Sequence, residues 1–113
     1  MNKILMAALI ITLVGCASIS DLRGSGPRES FSSKKPSTVV AECILAGWQE
    51  NSSRYGDVYL QPYGDGYTVL SSGNVEFVDI KPDASGVGIK FYHQDGIFQY
   101  RTNARVAVIN KCI

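Results

Sequence analysis

One histidine, His93, is the sole imidazole available for proton transfer in the chain. A Ser-His-Asp arrangement needs that imidazole to take a proton from a serine set in a strand-turn-helix elbow. His93 instead lies beside Gln94-Asp95-Gly96, a turn sequence, and reads as an exposed residue at a loop edge. Paired carboxylates are the other common acid-base device, and glycoside hydrolysis needs two of them about 5 to 9.5 Å apart across a cleft. Asp57, Asp65, Asp79, Asp83 and Asp95 fall mostly in turns or at strand ends, where Asp is favoured for its local hydrogen bonding. Gly64, Gly66, Gly73, Gly86, Gly88 and Gly96 punctuate hairpins and form no phosphate-binding pattern. These residues predict a protein that is not an enzyme and has no cofactor.

Tyrosine is the enriched side chain able to carry recognition. Tyr55, Tyr59, Tyr63 and Tyr67 recur every four residues, with Tyr92 and Tyr100 further on. Residues four apart on a strand share a face, so Tyr59 and Tyr63 are expected to present together before a turn alters the register for Tyr67. Such rings give rigid contact area at interfaces, and they equally cover sheet edges and core rims. Tyr59, Tyr63 and Tyr67 are therefore candidate interaction residues, with the edge-covering role as the alternative.

The N-terminus says more about location than about activity. After Lys3, the apolar run Ile4 to Val14 rises about 1.5 Å per residue and falls short of a ~30 Å hydrocarbon core. A basic residue before such a run reads as a signal peptide. Its end, Leu13-Val14-Gly15-Cys16, resembles the bacterial lipobox. That resemblance implies cleavage before Cys16, lipidation of its thiol and amine, and, because Ala17 is not acidic, sorting to the outer membrane. The expected location is lipid-anchored in the outer membrane, facing the periplasm, with surface exposure as an alternative. With Cys16 taken by lipid, Cys43 and Cys112 remain as a pair in an oxidising compartment and are expected to form a disulfide. No metal site is expected, since zinc needs three or four converging ligands and His93 stands alone. Loss of Lys3 leaves ten basic side chains against ten acidic, so no field recruits nucleic acid.

The organisation expected is a signal peptide over 1–15, a lipidated flexible tether over 16–36 and a small domain over 37–113. The tether is Ser-, Gly- and Pro-rich with few apolar residues, a composition that does not offset the entropy of ordering. In the domain, Val40, Cys43, Ile44, Gly47 and Trp48 recur at spacings of three and four. They predict an amphipathic helix with Ser37 or Thr38 as N-cap and Gly47 where another element approaches closely. The period then changes to two around Val58, Val69, Val78 and Ile89, with turn residues between. Four strands in an antiparallel meander follow. Phe98 to Ile113 reads either as a helix, with Ala104, Ala107, Val108 and Cys112 on one face, or as a fifth strand; its alanines and arginines and its lack of a turn favour the helix. The fold class is thus α+β, with the helices on one face of the sheet and tied by Cys43 and Cys112.

From Glu42, the pattern E-C-I-L-A-G-W, then a meander, then R-V-A-V-I-N-K-C-I resembles small lipoproteins of unassigned role carried by proteobacteria and their prophages. A second resemblance is to membrane-bound inhibitors of c-type lysozyme, carried by Ser85-Gly86 ahead of Ile89-Lys90-Phe91 and by Arg105 to Cys112. It implies a Ser85-Gly86 loop that plugs the lysozyme cleft, although a helix bearing Trp48 stands where that family has its first strand. The expectation is a non-catalytic outer-membrane binding module with an envelope protein as partner, an accessory subunit or a prophage-type exclusion factor. Lysozyme inhibition through Ser85 and Gly86 is the alternative.

Overall fold

A computed structural model describes residues 17–113; the expected signal segment and the lipid acceptor Cys16 lie outside the described residues. The chain runs α1 (Ile19–Ser25), β1 (Glu29–Ser33), α2 (Ser37–Gln49), α3 (Ser52–Tyr55), β2 (Val58–Tyr63), β3 (Gly66–Ser71), β4 (Glu76–Asp83), β5 (Gly86–His93) and α4 (Gln99–Cys112), with a short 3₁₀ turn at Ser72–Asn74. One antiparallel sheet orders the strands β1-β5-β4-β3-β2. The period-two segments form the expected meander. Tyr63 pairs with Gly66 across the first hairpin, and Gly64 between them has φ of 57°. That left-handed conformation suits a two-residue hairpin turn and strains any residue with a Cβ.

Alternation sorts the strands into two faces. Val58, Val69, Val78, Ile80, Val87, Ile89 and Phe91 share the inner face and are buried. Against them α2 lays Val40, Ala41, Ile44 and Trp48, all fully buried, and each such aliphatic contributes roughly 1.5 to 3 kcal/mol by leaving water. A Cβ on Gly47 would overlap Val108 Cγ1, so the bare backbone there lets α4 lie against α2. The Cys43–Cys112 disulfide joins the two helices. The C-terminal segment is helical, and its buried residues are Thr102, Arg105, Ile109 and Cys112. The expected face of Ala104, Ala107 and Val108 is rotated, because Arg105 turns inward to meet Glu76, a buried carboxylate on the inner face.

Glu76 and Arg105 are each 1% exposed in their side chains, and Arg105 Nε donates to Glu76 Oε1 at 2.6 Å. Arg101 donates to the same carboxylate from Nε and Nη2 at 3.0 to 3.2 Å. Trp48 Nε1 donates to the Arg105 carbonyl, and Arg105 Nη1 returns a bond to the Trp48 carbonyl. Burial pulls the Arg105 guanidinium down from its ordinary value, and its bond to Glu76 opposes that pull. Arg105 Cζ also stands 4.7 Å from the Trp48 ring, so the cation rests on an aromatic face as well as on a charge. The cluster pins the start of α4 to the end of the sheet.

Three expectations need correction. The stretch assigned to a tether carries α1 and β1 from residue 19 onward. β1 adds a fifth strand beside β5, with Phe31 opposite Ile89, and Phe31 packs against the core. Helix α1 closes on a reciprocal Ser18–Asp21 capping box and buries Leu22. The low apolar content is offset by edge-strand hydrogen bonds, by the buried Leu22 of α1 and by Phe31 of β1 against the core. At the start of α2, Pro36 takes the N-cap position and no side chain caps it. Asp79 lies in the middle of β4, not at a strand end or a turn.

Candidate functional site

The face of the sheet turned away from α2 and α4 carries polar residues where the inner face carries valines. Asp79 on β4 sits opposite Thr68 on β3 and Lys90 on β5, and Lys81 sits opposite Gly88. Helix α1 crosses this outer face, laying Leu22 against Phe77 and Tyr92, whose rings stack 4.7 Å apart. The next residue, Arg23, is thereby aimed along the sheet. Its Nε and Nη2 both reach Asp79 at 2.8 Å, and Nη2 also donates to Thr68 Oγ1 at 3.0 Å. Thr68 Oγ1 in turn donates to Asp79 Oδ1 at 2.6 Å. The Asp79 side chain is only 6% exposed, and this bond holds the Arg23 guanidinium above its already high range. The two-pronged geometry is the strong form of an Arg–carboxylate contact. Arg23 Cζ also lies 3.8 Å from the centre of the Tyr63 ring.

Beside this contact the surface sinks into an open cleft of about 450 Å³, walled by Arg23, Tyr63, Asp79, Lys81, Lys90 and Tyr92, with Gly88, Pro82 and Asp83 completing its lining. Gly88 keeps it open, since a Cβ there would come 3.2 Å from Asp83 Oδ2. Charge in the cleft is unevenly satisfied. Asp79 is saturated by Arg23 and Thr68, and Asp83 Oδ1 takes both the Ser85 N–H and the Ser85 hydroxyl at 2.9 Å. Those bonds hold the Asp83 carboxyl below its ordinary value. Lys90 forms no ion pair among the described residues. Lys81 has Asp65 at 3.9 Å with both side chains well exposed, a contact of little strength. Lys81 Nζ also stands 4.5 Å from the Tyr63 ring centre. Burial pushes the Tyr92 phenol up, so it stays protonated as a donor. One unpaired and one weakly paired ammonium group beside a tyrosine wall form a geometry able to bind a carboxylate or another oxyanion.

The residues singled out from the sequence separate. Tyr59 and Tyr63 do share the outer face, and Tyr63 is in the cleft, while Tyr59 stands on edge strand β2 and is 51% exposed. Tyr67 pairs with Pro62 and packs on the inner core, which removes it from the interaction set. Ser85 is exposed on the β4–β5 turn. Gly86 is not, since its φ is 144° and a Cβ would overlap the Ser33 carbonyl of β1; it permits that close approach instead of protruding. His93 lies on the opposite face from the cleft, with Nδ1 2.7 Å from the Gln94 carbonyl oxygen and its ring 5.7 Å from that of Phe91. Arg23, in the stretch expected to be a flexible tether, is packed on Asp79. Arg23 and Lys81 escaped the sequence reading, Asp79 entered it only as a turn or strand-end carboxylate, and Lys90 only as part of the Ile89-Lys90-Phe91 resemblance. For Asp79, Lys81 and Lys90 the signal was strand parity, since each falls between Val78, Ile80, Pro82, Ile89 or Phe91 along β4 and β5. The chain matches no protein-family model, no curated protein and no solved structure.

Proposed function

We propose that this chain is a lipid-anchored outer-membrane lipoprotein that works as a non-catalytic binding module, with the cleft between α1 and the β2–β3 hairpin as its binding surface. The observation that carries this reading is the pair Lys81 and Lys90 beside Tyr63. Lys90 has no ion pair among the described residues and Lys81 only a weak, exposed one with Asp65, in a cleft whose own carboxylates are already bonded. The partner is an envelope protein that presents an acidic side chain or loop, with the tyrosine ring supplying apolar contact and the ammonium groups supplying orientation. The lipobox at Cys16 supplies the anchor.

The test places a photo-crosslinking residue at Lys90, or at the exposed Lys111 of α4, in full-length chain expressed in its native envelope. A discrete adduct from position 90 that is absent from position 111, and that is lost with Lys81→Glu, supports the reading. Equal adducts from both positions, or none from position 90, refute it. A second reading rests on Ser85, which is exposed on its turn as an inhibitory loop would require. Purified chain that slows a c-type lysozyme, and a Ser85→Trp variant that does not, would favour inhibition over the cleft.

A further inference from the structure

The start of the described chain is clamped to the domain. Gln94 is 8% exposed, and its side chain grips Ala17 from both sides: Ala17 N–H donates to Oε1 at 3.0 Å and Nε2 donates to the Ala17 carbonyl at 2.6 Å. Nε2 bonds the Asn74 carbonyl as well, at 3.1 Å. The clamp sits at one end of the sheet, where Glu76 of β4 pairs with His93 of β5. A lipid carried by Cys16 would therefore join the chain one residue from this clamp, since Cys16 directly precedes Ala17 in the sequence.

The same end displays the most exposed aromatic rings among the described residues. Phe98 is 70% and Tyr100 54% exposed. Their rings stack 5.5 Å apart, Tyr55 joins Tyr100 at 6.5 Å, and Arg54 Cζ stands 5.2 Å from the Tyr100 ring centre. Phe98 follows Gln94 by four residues, so it lies within about 14 Å of the clamp even with that loop fully extended. Arg101, next to Tyr100, is bound to Glu76 and to the Tyr55 carbonyl, which fixes the patch to the sheet end. Exposed aromatic rings beside an arginine match the headgroup region of a bilayer, where such rings place an apolar body and a polar rim.

We infer that Phe98, Tyr100 and Tyr55 form a membrane-contacting surface that seats this end of the domain on a phospholipid bilayer. The occupant follows from where the chain leads, since acyl chains on Cys16 would bring the Ala17 clamp to headgroup depth and the aromatic patch with it. This inference rests on the lipid-anchor reading above. The domain then stands in one orientation, with the Ser85 turn at the opposite end of β4 and β5 pointing away from the membrane and the outer-face cleft open sideways.

The test uses acylated full-length chain, purified in detergent and reconstituted into phosphatidylethanolamine–phosphatidylglycerol vesicles with lipids brominated near the top of the acyl chain. Phe98→Trp adds one reporter and Ser85→Trp another; Trp48, the native tryptophan, is fully buried and gives the background. The expected result is strong loss of the added emission for Phe98→Trp and none for Ser85→Trp. An acylated chain that floats with the vesicles while Phe98→Trp keeps its emission, or while both reporters dim alike, overturns the orientation and leaves the anchor standing. A chain without acyl mass on Cys16 that fails to float removes the anchor reading and the orientation together.

Discussion

Glu76→Gln is the sharpest probe of the inner face. The carboxylate is 1% exposed and neutralises Arg105, which is equally buried, while Arg101 at 18% exposure reaches it from the rim. Glutamine keeps the shape, retains one acceptor and turns an amide N–H₂ toward guanidinium donors. Arg101 is able to swing to water, but Arg105 is not, because Nη1 is bonded to the Trp48 carbonyl and its plane lies on the Trp48 ring. The variant therefore leaves one buried, unneutralised cation, a defect of about 3 to 5 kcal/mol. In a domain of this size each kcal/mol moves the midpoint by roughly 4 to 8 °C, so Tm should fall by roughly 12 to 40 °C. Thermal and urea unfolding followed by circular dichroism and by Trp48 emission would measure it with the disulfide intact. Adding Arg105→Met removes the stranded charge and should recover about 1 to 3 kcal/mol in a double-mutant cycle. A Glu76→Gln protein within about 1 kcal/mol of the parent, the ordinary range for an unremarkable substitution, would refute the reasoning.

Three further outcomes are expected. Replacing Cys43 and Cys112 by Ala frees a loop with a sequence separation of 69 and should cost about 4 kcal/mol in chain-entropy terms, read as a lowered urea midpoint. Gly47→Ala should destabilise by about 1 to 2 kcal/mol, because overlap with Val108 Cγ1 outweighs the ~1 kcal/mol gain in helix propensity; in a Val108→Ala background the same change should become neutral or stabilising. Asp83 should titrate below an ordinary aspartate by carboxyl NMR, and Ser85→Ala should raise its midpoint. Because its pKa is lowered on folding, what it contributes is present above about pH 4 and lost as pH falls through the folded value. A midpoint unmoved by Ser85→Ala would leave the shift to the Ser85 backbone N–H, which the variant keeps, and would refute the hydroxyl's share.

The legible parts of this fold are those whose burial repeats. Helix α2 shows its face through Val40, Ile44 and Trp48, the β2 to β5 meander through alternating valines and isoleucines, and the disulfide through an even remainder of cysteines. Helix α1 and β1 bury little beyond Leu22 and Phe31, so average composition hid them, and their stability comes from partners distant in sequence such as Gln94, Asp79 and β5. The same limit applied to charge. Arg105 in isolation reads as a solvated helix residue, and only the three-dimensional neighbourhood of Glu76 makes it a core residue. In the cleft, Tyr63 was legible by its spacing with Tyr59, whereas Arg23 belonged to a segment whose fold depends wholly on the sheet beneath it.

The pairing of β1 with β5, in which Glu29 faces Phe91, also sets an order of events for the growing chain. A polypeptide made from its N-terminus has no partner for β1, and no seat for α1, until residues 86–93 have emerged. Contacts that span most of the sequence close late and slow folding relative to local ones. The early segments must therefore wait as unstructured chain while the β2–β3 and β4–β5 hairpins form. Cys43 likewise waits for Cys112, 69 residues further on, so the covalent lock is set only after α4 has emerged.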